Sequence, residues 1–372
     1  MAMKAMDFKR LNRVDLFRAV LRKGPAARAE LASLLGVSLP TVATLVRELE
    51  ALGLVESSGE LPSTGGRKAA AVAPLPDARA AVGVDVTRNH LSMAAVNLRG
   101  ELKGHERPHI KFEVSDGWSG RAGHMVRDFM ERTGVTGDSC VGVGISLPGI
   151  ISEDGATLQR SHLLDIRRHM RFTLPLGNGL PQRLFNDASA GCLTELWEAG
   201  EPGSFFFLSL SNSVGGALVI DGRLVTGANQ RAGEVGHVTL RPDGERCYCG
   251  KDGHYDVYGS ALNLADPAGG RLEDFFERAE SGDRAFGRIL SSYISSLALV
   301  SVNLRMLLDC DVVLGGYVGG FLGPHLARIR AKAAAMDTFQ GNAGYIRLSR
   351  RKMEGAAVGA ALHFIEEFIQ GV

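Results

Sequence analysis

The chain has 372 residues, of which 45% are hydrophobic and 22% are charged, so we expect two or three globular domains without a bias towards disorder. Five cysteines, no apolar signal-peptide core and no uninterrupted membrane-length apolar run argue against a disulfide framework and a membrane span, and predict a cytoplasmic protein that does not contact a membrane. The formal net charge of +1 conceals a basic first part, since residues 1–80 carry +4 and residues 81–372 carry −3, and a polyanionic partner is therefore expected for that part alone.

Three helices are predicted at the start of the chain. Residues 9–23 have a helical apolar period that ends at Gly24-Pro25, and a short helix follows over Arg28–Leu35. A third helix runs to about Leu52, with Ser38 as its N-cap and Pro40 in its first turn. The two later helices, joined by a three-residue turn, have the layout of a helix-turn-helix. The open side of the third helix predicts these DNA-facing residues: Ser38, Leu39, Thr41, Thr44 and Arg47.

Residues 54–72 predict a strand, a turn and a second strand, which is the wing of a winged helix. Its tip is Gly65-Gly66-Arg67-Lys68, and we expect Arg67 and Lys68 to reach into a minor groove. A small helical domain that docks on another protein is the alternative. The turn spacing, the wing and the local positive charge favour DNA.

Beyond the linker at Pro74 and Pro76 the chain changes to strands and helices. Residues 81–102 and 205–227 follow one plan of strand, break, strand and turn, and each unit is followed by a helical segment. A duplicated two-lobed α/β body is therefore predicted, with the closing helix, residues 354–369, packed on the first lobe. The predicted domains are residues 1–73, a linker at 74–80, a first lobe of 81–200 with 354–372, and a second lobe of 201–353 that carries the dimerisation surface.

A ligand is expected in the cleft between the lobes. Residues 142–149 predict a strand that leads into a glycine-proline turn, and Asn186-Asp187 stand where a strand meets a helix. These two side chains could cap the helix, or they could present an amide and a carboxylate to the hydroxyls of a polyol. The motif alone does not distinguish the two roles.

Residues 232–259 concentrate metal-binding side chains within a glycine-rich segment. Two thiols and two imidazoles at short spacing are the ligand set of a tetrahedral zinc site. Two ordinary buried cysteines in a glycine-rich turn are the alternative. With four protein ligands the site would be closed, as structural zinc sites are, and we expect structural Zn²⁺. The predicted ligands are His237, Cys247, Cys249 and His254.

Taken together, these motifs resemble the ROK family of repressors, open reading frames and sugar kinases over almost the whole chain. The resemblance rests on Glu-Val-Gly-His at 234–237 followed by Cys-Tyr-Cys-Gly at 247–250, and on the segments 144–149, 186–187, 221–224, 227–229 and 315–316. The amino-terminal winged helix matches the repressor branch. The resemblance implies a two-lobed actin-like fold of the sugar-kinase and ribonuclease H type, with a winged helix-turn-helix before it.

The resemblance also implies roles for single residues. The sugar-binding positions of the family fall on Asn186, Asp187, Glu234, His237 and Asp256. Asp256 stands where the family usually has Glu, one methylene longer. His254 replaces the family's third cysteine ligand, and since imidazole is also a zinc ligand we expect a Cys₂His₂ site.

The phosphate-binding turns argue against catalysis. A sugar kinase of this family needs glycine in these turns so that backbone N–H groups can approach the phosphates. Asp85 is followed by Val-Thr-Arg-Asn, and the second turn is Ser-Asn-Ser at 211–213, both without glycine; only Gly315-Gly316 is kept. We therefore expect no sugar phosphorylation and no catalytic residue, although Asp187 would be the general base of a kinase.

The sequence thus predicts a transcriptional regulator, most simply a repressor of carbohydrate genes. We expect a homodimer or homotetramer that binds operator DNA, with a sugar or sugar derivative in the cleft that changes the spacing of the paired DNA-binding domains. The alternative is an ATP-dependent hexose or amino-sugar kinase with an accessory DNA-binding domain. A docking regulator with a vestigial cleft is a third possibility.

Overall fold

A computed structural model describes residues 5–60, 70–177, 179–200, 203–339 and 341–372. Within these ranges the chain forms an amino-terminal module and two α/β lobes. The predicted wing tip, which contains Arg67 and Lys68, lies outside the described residues.

The amino-terminal module has three helices and a small antiparallel sheet in the order β1-β3-β2. Ser38 caps the third helix, since its Oγ accepts a hydrogen bond from the backbone N–H of Thr41 at 3.3 Å, and Pro40 lies in the first turn as predicted. The first helix already includes Ala5, the first described residue, four residues before the start that its apolar period indicated. The elements of the amino-terminal module are α1 (Ala5–Lys23), β1 (Ala26–Ala27), α2 (Arg28–Leu35), α3 (Leu39–Ala51), β2 (Val55–Glu60) and β3 (Ala70–Pro74).

The first lobe is built on a five-stranded sheet in the order β11-β7-β4-β5-β6, with β4, β5 and β6 antiparallel and β7 and β11 parallel to β4. A smaller sheet of β8, β9 and β10 projects from it. Its elements are β4 (Ala80–Val86), β5 (Leu91–Asn97), β6 (Leu102–Glu106), α4 (Asp116–Arg132), β7 (Cys140–Leu147), β8 (Ile150–Ile151), β9 (Thr157–Arg160), β10 (Met170–Arg171), β11 (Gln182–Asn186) and α5 (Asp187–Ala199).

The second lobe repeats this plan with the order β14-β13-β12-β15-β16. In both lobes an antiparallel three-strand unit begins the sheet and later parallel strands extend it beyond the first strand, so the predicted duplication is present. Its elements are β12 (Phe205–Leu210), β13 (Val214–Ile220), β14 (Arg223–Val225), α6 (Asp256–Gly259), α7 (Leu262–Ala265), α8 (Leu272–Glu280), α9 (Arg284–Leu308), β15 (Asp311–Gly315), α10 (Gly316–Gly319), α11 (Leu326–Ala334) and β16 (Ile346–Leu348).

The last helix, α12 (Gly355–Gly371), returns to the first lobe, as the sequence predicted. It packs on β4, β7 and α5, and its backbone lies close to theirs. A Cβ added to Gly359 would lie 1.7 Å from the carbonyl oxygen of Ala190, so only glycine allows α12 to approach α5 this closely.

The amino-terminal module shares a hydrophobic core with the first lobe. One cluster of buried side chains joins Phe17 and Leu49 of the module to Val96 of β5 and Ile365 of α12. Arg99 also donates from Nε to the carbonyl of Leu21 at the end of α1, at 2.7 Å. Within the predicted linker, residues 74–80, the carbonyl of Pro76 accepts a hydrogen bond from the backbone N–H of Leu98 in the first lobe at 3.0 Å. The predicted domain limits themselves stay predictions.

A buried carboxylate connects the two lobes. Glu195 in α5 is 1% exposed and accepts hydrogen bonds from Arg347 Nη1 at 3.1 Å, Ser349 Oγ at 2.5 Å and the backbone N–H of Arg350 at 2.8 Å. Because all three donors come from the end of the second lobe, Glu195 fixes the crossing point where the chain returns to α12.

Among the described residues one helix, α9, is long and apolar enough to cross a membrane by length and composition. It is mostly buried inside the second lobe, where it packs against α8, α11 and β15. The helices α2 and α3 pass the same test only as a pair bent by 110°. We interpret α9 as the core helix of this lobe.

Candidate functional site

Strand β11 delivers Asn186 and Asp187 to the cleft between the lobes. Asn186 caps α5, since its Oδ1 accepts from the backbone N–H of Ser189 at 3.0 Å, and its Nδ2 donates to the carbonyl of Gly149 at 3.1 Å. Of the two roles considered for Asn186, helix capping is therefore present. The two hydrogen bonds hold the Asn186 side chain at the floor of the cleft.

Asp187, the first residue of α5, faces a second carboxyl across the cleft floor. Loss of hydration raises the pKa of Asp187 to about 7, and the neighbouring Asp85 carboxyl adds to the rise. Burial likewise raises the pKa of Asp85 to about 6, although Ser146 Oγ donates a hydrogen bond to it at 2.8 Å. Both carboxyls therefore lose their protons at a higher pH than an ordinary aspartate does.

A tyrosine lies beside Asp85 at the cleft floor. Tyr317, from the short helix after β15, lies against the Asp85 carboxyl, and the guanidinium of Arg107 lies 5.0 Å from the centre of its ring. The cavity that remains between Asp85, Asp187 and Tyr317 has a volume of about 50 Å³. This is far below the several hundred Å³ of an ordinary ligand pocket.

Glu234 and Asp256 reach the cleft from the second lobe in different ways. Glu234 begins the 3₁₀ turn Val235–His237, and its Oε2 lies 4.0 Å from His237 Nε2. Asp256 is 4% exposed, and its Oδ1 accepts the backbone N–H of Val214 at 2.5 Å. Its carboxylate therefore already has a structural partner, which leaves one oxygen for a ligand.

The four predicted metal ligands converge. Their nearest donor atoms all lie within 4.8 Å of one another. His254 Nδ1 is 3.3 Å from His237 Nδ1 and 3.3 Å from Cys249 Sγ. Two nitrogens bound at about 2.0–2.1 Å to one tetrahedral ion lie about 3.3–3.4 Å apart, so the spacing fits such a site. The cluster could hold a metal ion, with both imidazoles using Nδ1.

Backbone hydrogen bonds shape the loop that carries these ligands, residues 237–256. The N–H of Cys247 donates to Lys251 at 2.8 Å, and the N–H of Gly250 donates back to Cys247 at 2.8 Å. Gly253 has φ +70°, and a Cβ there would lie 1.5 Å from the carbonyl oxygen of Arg241. A side chain at this position would push His254 away from the other three ligands.

Two side chains without a predicted role complete the wall of the cleft. Tyr248, between the two cysteines, is 50% exposed, and its hydroxyl lies 3.4 Å from His237 Nε2. His162, from the loop after β9 in the first lobe, has its ring centre 5.7 Å from that of Tyr248 and 6.3 Å from that of His237. The position of Tyr248 inside the cysteine motif could have revealed it, whereas nothing local in the sequence indicated His162.

The predicted DNA-facing residues form one open face of α3. Leu39 is 53% exposed, and Ser38, Thr44 and Arg47 are also exposed, with Thr41 half-buried between them. Thr44 Oγ1 donates to the carbonyl of Pro40 at 3.0 Å, and Arg47 Nε donates to that of Ala43 at 3.2 Å. These bonds are internal to the helix, so the face has no partner elsewhere among the described residues.

Comparison with known proteins finds relatives among both repressors and sugar kinases. The ROK family model matches residues 81–367. A xylose repressor from Caldicellulosiruptor bescii is 27% identical over 260 residues, which cover 69% of this chain and 65% of that relative's length. An N-acetylmannosamine kinase from Citrobacter koseri is 32% identical over 197 residues, which cover 50% of this chain and 68% of the relative.

A solved structure is similar over nearly the whole length. It is described as a ROK family transcriptional regulator, a homolog of the E. coli MLC protein. It superposes with a TM-score of 0.75 at 20% identity, covering 98% of this chain and 97% of that chain. At this identity the likeness establishes the fold, including the amino-terminal module.

Proposed function

This chain belongs to the ROK family, and we propose that it is a sugar-responsive transcriptional repressor. The observation that carries the proposal is the open face of α3 on a module that is fused, through a common core, to a two-lobed sugar-kinase fold. The repressors among its relatives support the same assignment.

DNA binding would use α3 in the major groove. Arg47 and Thr44 lie on its exposed face, and Ser38 and Thr41 lie near its amino-terminal end, where phosphate contacts are common. Arg67 and Lys68 are proposed to extend the contact from the wing. Two copies of the chain, in a homodimer or homotetramer, would bind the two halves of a palindromic operator. A cytoplasmic location follows from this role.

The effector would lie between Asn186, Asp187, Glu234 and His237. Asp187 begins α5, and Thr194 of α5 donates to the carbonyl of Gly355 at the start of α12 at 2.7 Å. The far end of α12 forms an ion pair between Glu366 and Arg18 of α1. We propose that α5 and α12 transmit a change at Asp187 to the DNA-binding module.

We propose that the metal cluster binds structural zinc. Two thiolates and two imidazoles suit zinc better than magnesium or calcium, which prefer oxygen ligands. With Nδ1 of His237 turned to the ion, its Nε2 faces Glu234 and Tyr248. The metal would thereby fix the imidazole that the effector touches.

The proposal is tested by binding to the protein's own promoter. The wild type should prefer this DNA over random DNA, and its affinity should fall as salt is raised. Arg47→Ala should weaken specific binding by about 1–3 kcal/mol, that is, about 5- to 150-fold. Arg284→Ala removes an exposed arginine at the start of α9 and should leave binding unchanged. Equal affinity for promoter and random DNA would refute the proposal.

A sugar kinase is the second candidate, because kinases are among the relatives and Asp187 has the raised pKa of a general base. Tyr317 beside Asp85 and the glycine-free turns argue against it. A coupled ATP assay over hexoses and amino sugars decides the matter: we expect no turnover above background. Turnover that disappears in Asp187→Asn would establish the kinase instead.

A further inference from the structure

A second and larger cavity lies on the side of the cleft that is next to the loop 237–256. Its volume is about 990 Å³, and it shares Leu163 and Asn212 with the small cavity that contains Asp187. Both lobes line it: the turn at Arg88 and the loop after β9 come from the first lobe, and Tyr248 and α6 come from the second. The size suits a ligand larger than a single unsubstituted sugar ring.

Arginines outnumber acids by one among the residues that line this cavity. Four of them line it, against three aspartates and no lysine or glutamate: Arg88, Arg160, Arg167 and Arg246. The loop that supplies two of them is itself basic, since residues 160–171 contain four arginines and two histidines with a single acid, Asp165.

These arginines are available to a ligand. Within the part of the chain that the structure describes, neither Arg88 nor Arg160 has a carboxylate within ion-pair distance. Arg167 pairs with Asp165 two residues away, and both side chains are more than 80% exposed. Arg246 lies 3.9 Å from Asp252, also in an exposed pair. Exposed pairs of this kind contribute at most about 1 kcal/mol, so a bound anion can replace them.

Two of the three acids of the same cavity already have partners. Asp256 is buried and bonded to the backbone of Val214, and Asp165 is the partner of Arg167. Asp266 is exposed and begins a 3₁₀ turn directly after α7, in the second lobe. The uncompensated charge that faces the cavity from the first lobe is therefore positive.

Aromatic side chains line the same cavity as the arginines. The exposed ring of Tyr248 is held between two metal-ligand positions, and His162 and His237 lie edge-on or tilted to it at centroid distances of 5.7 and 5.6 Å. A tyrosine fixed in this way offers an apolar face to a sugar ring and a hydroxyl to its substituents. The cavity thus combines a sugar-stacking surface with anion-binding guanidinium groups.

We propose that the effector is an anionic carbohydrate, whose phosphate or carboxylate group is bound by Arg88 and Arg160. The inference rests on the proposed function and names the chemical class of its ligand. Guanidinium groups recognise phosphate and carboxylate through paired, charge-assisted hydrogen bonds. The sugar ring would lie between Tyr248 and the Asp187 carboxyl, with the anion at the outer rim.

Thermal shift and titration calorimetry on the full chain test the proposal with matched sets of ligands. Each set contains a neutral pentose, hexose or N-acetylhexosamine, its terminal phosphate and its terminal acid, and AMP serves as an anion without a free sugar. We expect one anionic member to bind at least about tenfold more tightly than its neutral partner. Comparison of phosphate and acid identifies which anion is bound.

Variants connect that preference to the arginines. Arg160→Gln and Arg88→Gln should each lower the affinity for the anionic ligand by about tenfold and change the affinity for its neutral partner by no more than about twofold. Arg160→Lys should recover part of the lost affinity for the anionic ligand. Arg284→Gln, remote from the cavity, is the matched control. Raised salt should weaken the anionic ligand more than the neutral one.

The outcomes separate the two proposals. A neutral sugar that binds as tightly as its phosphate and acid, unaffected by Arg160→Gln, overturns the anionic class and leaves the sugar-responsive repressor intact. Tighter binding of AMP than of every carbohydrate also overturns it. If no carbohydrate of either kind binds while promoter DNA does, the anionic effector and the sugar response both fail, and a DNA-binding protein remains.

Discussion

Asp85, in β4, and Asp187, the first residue of α5, lie close enough at the cleft floor for the charge of one to affect the other. Each carboxyl is raised in pKa mainly by loss of hydration, and the charge of Asp85 adds to the shift of Asp187. In a kinase such a carboxyl would remove a proton from a sugar hydroxyl. In a sensor it can accept a hydrogen bond from the same hydroxyl, at a cost in stability.

The raised pKa of Asp187 predicts how the stability of the protein depends on pH. Because the folded-state pKa of Asp187, about 7, lies above its value in the unfolded chain, its protonated form favours folding. This contribution is complete below about pH 4 and is lost as the pH rises through about 7. Asp187→Asn, which stays neutral, should therefore be more stable than the wild type at pH 8, by roughly 2 kcal/mol, and the difference should shrink towards pH 5.

Melting temperatures of the two proteins between pH 5 and 8 measure the effect. Asp138→Asn removes a carboxyl from the surface and controls for the general loss of a negative charge. A gap between wild type and Asp187→Asn that stays constant with pH would show that Asp187 does not titrate in this range.

The loop 237–256 is the element on which the effector side of the cleft depends. Apart from two isolated β-bridges, Thr239–His254 and Arg246–Asp252, it has little regular structure, and much of its surface is exposed. Its shape comes from a few backbone bonds and from four converging ligand atoms. Metal binding would supply the stabilisation that a larger core provides elsewhere.

Substitution of His254 tests this dependence. His254→Ala leaves three ligands and should reduce bound zinc well below one per chain after dialysis against a weak chelator, with a lower melting temperature. His254→Cys keeps four ligands and should retain the metal. Metal analysis of the purified proteins checks both. Equal zinc content in wild type and His254→Ala would exclude His254 as a ligand.

At the scale of the whole molecule, the DNA-binding module is part of the first lobe's core. The helices α1 and α12 bury side chains in one cluster, and the ion pair of Arg18 with Glu366 joins their surfaces. Movement of α12 relative to the second lobe would therefore carry the module with it.

A core substitution in α12 should then loosen the module. Ile369, which is 1% exposed, contributes to the shared cluster, and Ile369→Ala should destabilise it by about 2–5 kcal/mol. We expect faster hydrogen exchange in α1 as well as in α12. Val300→Ala, in the core of the second lobe, should accelerate exchange in α9 and leave α1 protected. An unchanged α1 in Ile369→Ala would mean that the module folds independently.

The sequence by itself determined the elements and the local chemistry of this protein. Capping at Ser38, the apolar period of α3 and the spacing of Cys247, Cys249 and His254 are local patterns, since residues within one turn or loop set them. The repeated strand plan and the family motifs then predicted two lobes and the placement of Asn186 at a cleft. Each strand unit and each motif is a local pattern, and only their comparison or combination extends over the chain.

Only the tertiary structure decided which distant residues meet. Tyr317 lies more than two hundred positions from Asp85, and His162 lies eighty-six from Tyr248, so no local pattern could pair them. The hydrogen bond from the backbone N–H of Val214 to Asp256 and the core shared by α1 and α12 also join residues far apart in the chain. Packing of whole lobes creates these contacts, because the burial and charge around a side chain depend on every element that closes over it.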